Sequence, residues 1–178
     1  MNVSELKELL AVFVEEQNAD QIRELISQQH SIDIASALSE FDDAAILAIL
    51  NPLDPNDIAS IIEESEETLQ KKITEILDID KIIQVFTHMS PDDITDIMGI
   101  LSINQRKELL FRMKRRDSQE IQMLLGFEAD TAGGLMTTQY IALRQELSTN
   151  DALQKIKNIG PKTEVIEKIF VINQRNEL

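Results

Sequence analysis

The side chains in this sequence that could do chemistry are mostly carboxylates. Asp92 and Asp96 follow Ser90 and Pro91 and stand four residues apart. In a helix that spacing puts both on one side, away from Ile94, Ile97, Met98 and Leu101, with no Lys or Arg beside them. A like-charge pair so placed disfavours the helix by a few tenths of a kcal/mol, which a cation or a basic partner would offset. The ligands on offer are oxygens, which suit hard ions such as Mg²⁺ or Ca²⁺ rather than zinc or copper. Asp57 holds an early position in the helix opened by Asp54, and Glu63, Glu64, Glu66 and Glu67 form a dense acidic run. Acids in a first turn, such as Asp57, Asp92 and Asp93, also satisfy the helix dipole and free amides with no metal at all. Asp96, one turn further in, lacks that explanation. No EF-hand loop is present.

Other chemistries find little support, and we expect a protein that is not an enzyme. With no Cys, thiol catalysis and zinc-thiolate sites are excluded. His30 and His88, the two histidines, sit where blocks or helices end and read as helix-terminal or packing residues. Gly133-Gly134 lacks both the GxGxxG spacing and the lysine of a phosphate loop. The basic stretch Arg106, Lys107, Arg112, Lys114, Arg115 and Arg116 has only Phe111 as an interleaved aromatic. It reads as a surface for the acidic blocks or another domain in preference to nucleic acid.

The elements that must position these residues are helices. The chain has 178 residues, 43% hydrophobic and 28% charged, enough for one or two domains with a sizeable core. Apolar runs are too short to cross a bilayer, and Met1 leads into acids rather than a basic signal, so we expect a soluble, cytosolic chain. Net charge is -15, unevenly placed: residues 1–101 carry 22 acids against 5 bases, whereas residues 102–117 carry 6 bases against 2 acids. That balance repels phosphate backbones over the first hundred residues and attracts cations or basic proteins; it also serves solubility. Before Phe127 apolar residues recur at helical spacing, as in Leu6, Leu9, Leu10 and Phe13, then Ile22, Leu25 and Ile26. Asp54-Pro55 and Ser90-Pro91 read as helix starts, and Ser102 with Gln105 as a capping box.

Cuts at His30, Asp54, Asp78 and Ser102 give four blocks of 24 residues in register. One column is Leu38, Ile62, Phe86, Leu110; another is Ile49, Ile73, Ile97, Ile121; a third is Leu53, Leu77, Leu101, Leu125. Each block holds two short helices that cannot bury their apolar faces alone, which implies a stacked helical superhelix; an irregular helical bundle is the alternative. Composition changes at Gly126, and the paired glycines mark a boundary. Beyond it Tyr140 to Leu143 reads as a strand, Ser148 opens a helix bearing Ala152, Leu153 and Ile156, and Ile169 to Ile172 reads as a second strand before a turn at Asn173. The fold class expected is mainly α: a superhelical stack of short helices with degenerate repeats, then a partial α/β unit.

The run Glu128-Ala129-Asp130-Thr131-Ala132-Gly133-Gly134-Leu135-Met136-Thr137, followed by Tyr140 to Leu143 and the helix of Leu147 to Ile156, resembles the junction between the helical domain and the first CBS motif of MgtE magnesium channels. Ser90 to Asp96 also resembles that family's helical domain. The resemblance covers the whole chain and implies a helical N-terminal-type domain over 1–127, a boundary segment over 128–137, and the beginning of a first CBS domain over 138–178. It implies a magnesium sensor on the cytoplasmic face of the cell membrane, in which Mg²⁺ between acidic domain faces favours a compact arrangement that closes the pore. Matched by motif, Asp92 and Asp96 are regulatory acids, with Asp57 a weaker match. It further implies partners in the chain's own CBS and transmembrane domains, a homodimer, and adenine nucleotide at a complete CBS region. The rivals are a helical scaffold of the flagellar motor-switch kind, against which the strand–helix–strand tail argues, and an adaptor that binds basic partners without specific metal.

Overall fold

Helix starts recur along this chain at a fixed interval, and that interval builds the fold. The computed structural model describes residues 1–128, 130–159 and 165–178, and the side chains of all of these except 165–167. Ala129, in the expected boundary segment, and Gly160 to Glu164, in the expected CBS part, lie outside the described residues. Ten short helices come first: α1 Val3–Glu15, α2 Ala19–Ser27, α3 Ser31–Leu38, α4 Asp43–Leu50, α5 Pro55–Glu63, α6 Glu67–Ile76, α7 Ile79–Phe86, α8 Pro91–Ile100, α9 Ile103–Arg112 and α10 Arg115–Leu124. From α2 onward their N-caps fall every twelve residues, at Asn18, His30, Asp42, Asp54, Glu66, Asp78, Ser90, Ser102 and Lys114. The 24-residue block is therefore a pair of short helices whose starts are evenly spaced, and the block boundaries at His30, Asp54, Asp78 and Ser102 are N-caps. The Ser102–Gln105 capping box forms as expected. Asp54 occupies its N-cap position, but its side chain makes no cap hydrogen bond.

The pairs stack in two layers. α1, α3, α5, α7 and α9 pack in succession on one side, and α2, α4, α6, α8 and α10 on the other. This is the stacked superhelix in place of the irregular bundle. Ile49, Ile73, Ile97 and Ile121 are all buried in one continuous core, as are Leu38, Ile62 and Phe86, whereas Leu110 and Leu125 in the last pair are only partly covered. Each fully buried Leu or Ile contributes about 1.5–3 kcal/mol relative to exposure, so the repeat's stability resides between neighbouring pairs. Polar ties also run from pair to pair. Lys81 donates to the carbonyls of Leu50 and Asn51 at 3.0 and 2.6 Å, closing the end of α4. Burial lowers the Lys81 pKa, against an opposing pull from Asp54. Asp43 pairs with Lys72 at 3.3 Å and Asp80 with Arg112 at 3.0 Å.

After the stack come β1 Tyr140–Arg144, α11 Thr149–Ile159 and β2 Val165–Ile172. The strands pair in parallel, with Ile141 opposite Ile169 and Arg144 opposite Ile172, and α11 packs on β1. Ser148 caps α11 through the Asp151 amide at 3.3 Å. This is the strand–helix–strand unit read from the sequence. β1 buries Ile141 and Leu143, but no residue of α11 is buried, and Leu153, expected on its apolar face, is exposed. Among the described residues no helix is long and apolar enough to cross a membrane.

Candidate acidic cleft

The start of α8 shows how the sequence disposes of its three aspartates. Ser90 accepts a hydrogen bond from the Asp93 amide at 3.2 Å, and its hydroxyl donates to the Asp93 carboxylate at 2.6 Å. Asp93 is thus engaged in holding the helix start. Asp92 faces the boundary segment, where the Thr137 hydroxyl donates to its carboxylate at 3.2 Å. Asp96 has no such local role. Ile94, Ile97 and Met98, buried on the opposite side of α8, hold these acids at the surface.

Asp92, Asp93 and Asp96 line a cleft of about 1200 Å³. The turn from α5 into α6 adds Glu63, Glu66 and Glu67, so six carboxylates come from two places in the sequence. The far wall is the end of α10 with Phe127 and the segment Gly133 to Met136. There the backbone passes so close to the Phe127 ring that a Cβ on Gly133 would lie 2.4 Å from it. The Thr138 hydroxyl donates to Glu120 at 2.8 Å, a second tie between this segment and the stack. Although Asp96 stays open to solvent, its pKa is raised: partial burial of the carboxyl is the largest cause, and the charges of Asp93, Asp92 and Glu67 add to it.

Among the described residues one cation shares the lining with these acids. Arg106, on α9, lines the cleft and donates to the carbonyls of Gly99 and Leu101 at 3.2 and 3.3 Å, while its Nε is buried without a partner. No base lies beside Asp92 and Asp96 on their own helix; Arg106 reaches the cleft from α9. The signal was there: Arg106 interrupts the column Ile34, Ile58, Ile82, all buried, at intervals of one block. The Thr137 contact had no comparable signal, since it joins residues 45 apart.

The cleft brings Asp92 and Asp96 together and joins them to the Glu63–Glu67 run. It does not include Asp57, which is exposed on the first turn of α5, at the helix position that Asp93 holds in α8. His30 is the N-cap of α3 and His88 follows the end of α7, both helix-terminal as read. Of the basic stretch, Arg112 pairs with an acidic block through Asp80. Carboxylate oxygens are suitable donors for Mg²⁺, which commonly keeps several waters and takes one or two carboxylates. Among the described residues no three His, Asp or Glu side chains converge to hold a metal on their own. Asp92 and Asp96 can therefore supply only part of a ligand set for such an ion.

Residues 29–130 match the family described as the MgtE intracellular N domain. The chain is 25% identical over its whole length to the magnesium transporter MgtE of Bacillus subtilis, and 22% identical over 86% of its length to that of Thermus thermophilus. It spans 40% of the length of each. Its fold matches a crystal structure of the soluble part of a magnesium transporter with a TM-score of 0.85, at 23% identity, covering 99% of this chain and 70% of that one. It also matches the cytosolic domain of the Mg²⁺ channel MgtE in complex with ATP, with a TM-score of 0.88 at 22% identity, covering 95% of this chain and 69% of the other.

Proposed function

We propose, from the premise that this chain belongs to the MgtE intracellular N domain family, that it is the cytosolic, magnesium-sensing portion of an MgtE-type transporter or channel. It works by ion-dependent contact and not by chemical conversion. Residues 1–127 form the sensing domain, 128–137 the connection, and 138–178 the beginning of a CBS domain. The observation that carries this reading is the acidic cleft, which six carboxylates line and where Asp93, Asp92 and Glu67 crowd Asp96, with Arg106 the one cation in the lining among the described residues.

Such a surface resists the approach of another acidic face. A divalent cation held by Asp92 and Asp96, with its remaining ligands supplied by water and the facing CBS domain, removes that resistance. The ion shifts the population toward the compact, pore-closing arrangement only if it binds that arrangement more tightly than the open one. Asp57 lies outside this pair and would meet an ion only at a separate contact. The chain's own CBS and transmembrane domains are its partners in a homodimer at the cytoplasmic face of the membrane. Adenine nucleotide belongs to the completed CBS region, for which the ATP held by a structural relative is the support.

The test uses the polypeptide extended through the whole CBS region. Protease protection and scattering radius are compared in Mg²⁺ and in chelator at matched ionic strength. Greater protection and a smaller radius in Mg²⁺ are expected, and both responses should weaken in Asp92→Asn/Asp96→Asn. Equal protection and radius in the two conditions would reject the sensor in favour of a scaffold without specific metal.

A further inference from the structure

We infer that the open end of the helical stack is a docking groove for an amphipathic helix with an acidic polar face, carried by a separate protein. The groove, of about 440 Å³, lies between α9 and α10 and includes Leu110, Phe111, Met113 and Arg115. It shares no lining residue with the acidic cleft, so it stands apart from the magnesium reading. One block earlier, the positions of Leu110 and Met113 are Phe86 and Met89, both buried where α7 and α8 receive α9 and α10. The last pair has no following pair among the described residues, so a helix-receiving surface is left open.

The residues there are not those of an ordinary end cap. A terminal repeat is expected to turn polar on its outer face. Phe111 does the reverse: it is 88% exposed, and the same position in the three earlier blocks is Ser39, Glu63 and Thr87. Lys114, Arg115 and Arg116 open α10, where the matching helices begin Asp42-Asp43-Ala44, Glu66-Glu67-Thr68 and Ser90-Pro91-Asp92. Bases at a helix N-terminus oppose its dipole, and the Lys114 side chain makes no cap hydrogen bond. Among the described residues Lys107, Lys114, Arg115 and Arg116 form no ion pair. A basic helix start that opposes the dipole and one exposed aromatic thus meet at a single groove, which Arg115, Lys107 and Phe111 line, a pattern in which folding preference yields to recognition.

Charge complementarity selects the occupant. The groove's rim is cationic, so the partner is acidic, while the chain's net charge of -15 disfavours a long polyanion or an anionic bilayer that would also meet the rest of the surface. A short helix fits a surface that the repeat elsewhere uses to seat helices, with Phe111 as the buried anchor.

Binding of a labelled peptide with the sequence of residues 2–17, an acidic amphipathic helix, is measured by fluorescence anisotropy against the intact chain. Saturable binding that weakens as salt rises is expected, together with a loss of about tenfold or more in Phe111→Ser and in Arg115→Glu. A peptide with its glutamates changed to lysine should not bind. Both substitutions are at exposed sites, and circular dichroism checks that the fold is kept. Absence of saturable binding, binding unchanged by Phe111→Ser, or preference for phosphatidylglycerol vesicles or duplex DNA would each overturn the proposal. Self-association of the chain through this groove, read by sedimentation, would overturn the assignment to a separate protein.

Discussion

The middle of the helical stack, α5 to α8, and its end, α9 and α10, are cut from one repeat yet carry opposite chemistry. In the middle both sides of each pair are covered, Ile58, Ile62, Ile73, Ile82 and Ile97 are buried, and the exposed edge is acidic. At the end Leu110 is half-covered, Phe111 is open, an arginine replaces the column isoleucine and the helix start is basic. A repeat whose interior is redundant can vary its edges without losing the fold. The middle carries an acidic cleft, and the end carries a groove lined by Lys107 and Arg115.

The largest test of this contrast is in the core. Ile62→Ala should destabilise the chain by about 3 kcal/mol, and Leu110→Ala, at the same repeat position, by less than half as much, because the last site has fewer neighbours to leave a cavity among. Urea unfolding of both variants measures it; equal losses would mean that the last pair is as well covered as the middle. A smaller gain is expected from Lys114→Asp, which gives α10 the N-cap that Asp42 provides for α4. It should stabilise by about 1 kcal/mol in thermal melts, and a neutral or negative result would show that the basic start is not in tension with the helix.

The smallest effect concerns charge. The native state holds the Asp96 proton more tightly than the unfolded chain, so stability is lost as pH rises from the ordinary aspartate range through the raised value. Asn cannot ionise and escapes that loss. Asp96→Asn in chelator should therefore be more stable than the parent by a few tenths of a kcal/mol at neutral pH, with the gain disappearing below the ordinary aspartate pKa. A gain that persisted in acid, or no gain at neutral pH, would remove carboxylate crowding as the feature that sets the cleft apart.

Much of the architecture was legible in the residues because helical repeats are local. A cap, a proline or an acid in the first turn and an apolar column at a constant interval describe each helix and its neighbour, which is why cuts at His30, Asp54, Asp78 and Ser102 coincide with N-caps. The pairing of Asp92 with Asp96 was legible for the same reason, since both lie on one helix.

What only tertiary structure decided is which distant groups share a space. The packing of α6 on α8 brings Glu67 to Asp96, and the tertiary fold places Arg106 in the acidic cleft and Thr137 beside Asp92, while leaving Asp57 exposed outside it. Helical periodicity assigns a residue to a side of its own helix; it carries no information on how far a side chain from another helix reaches or which loop returns beside it. Electrostatic and hydrogen-bond energies depend on those distances through space, so the crowding at Asp96 emerges only when the helices are packed.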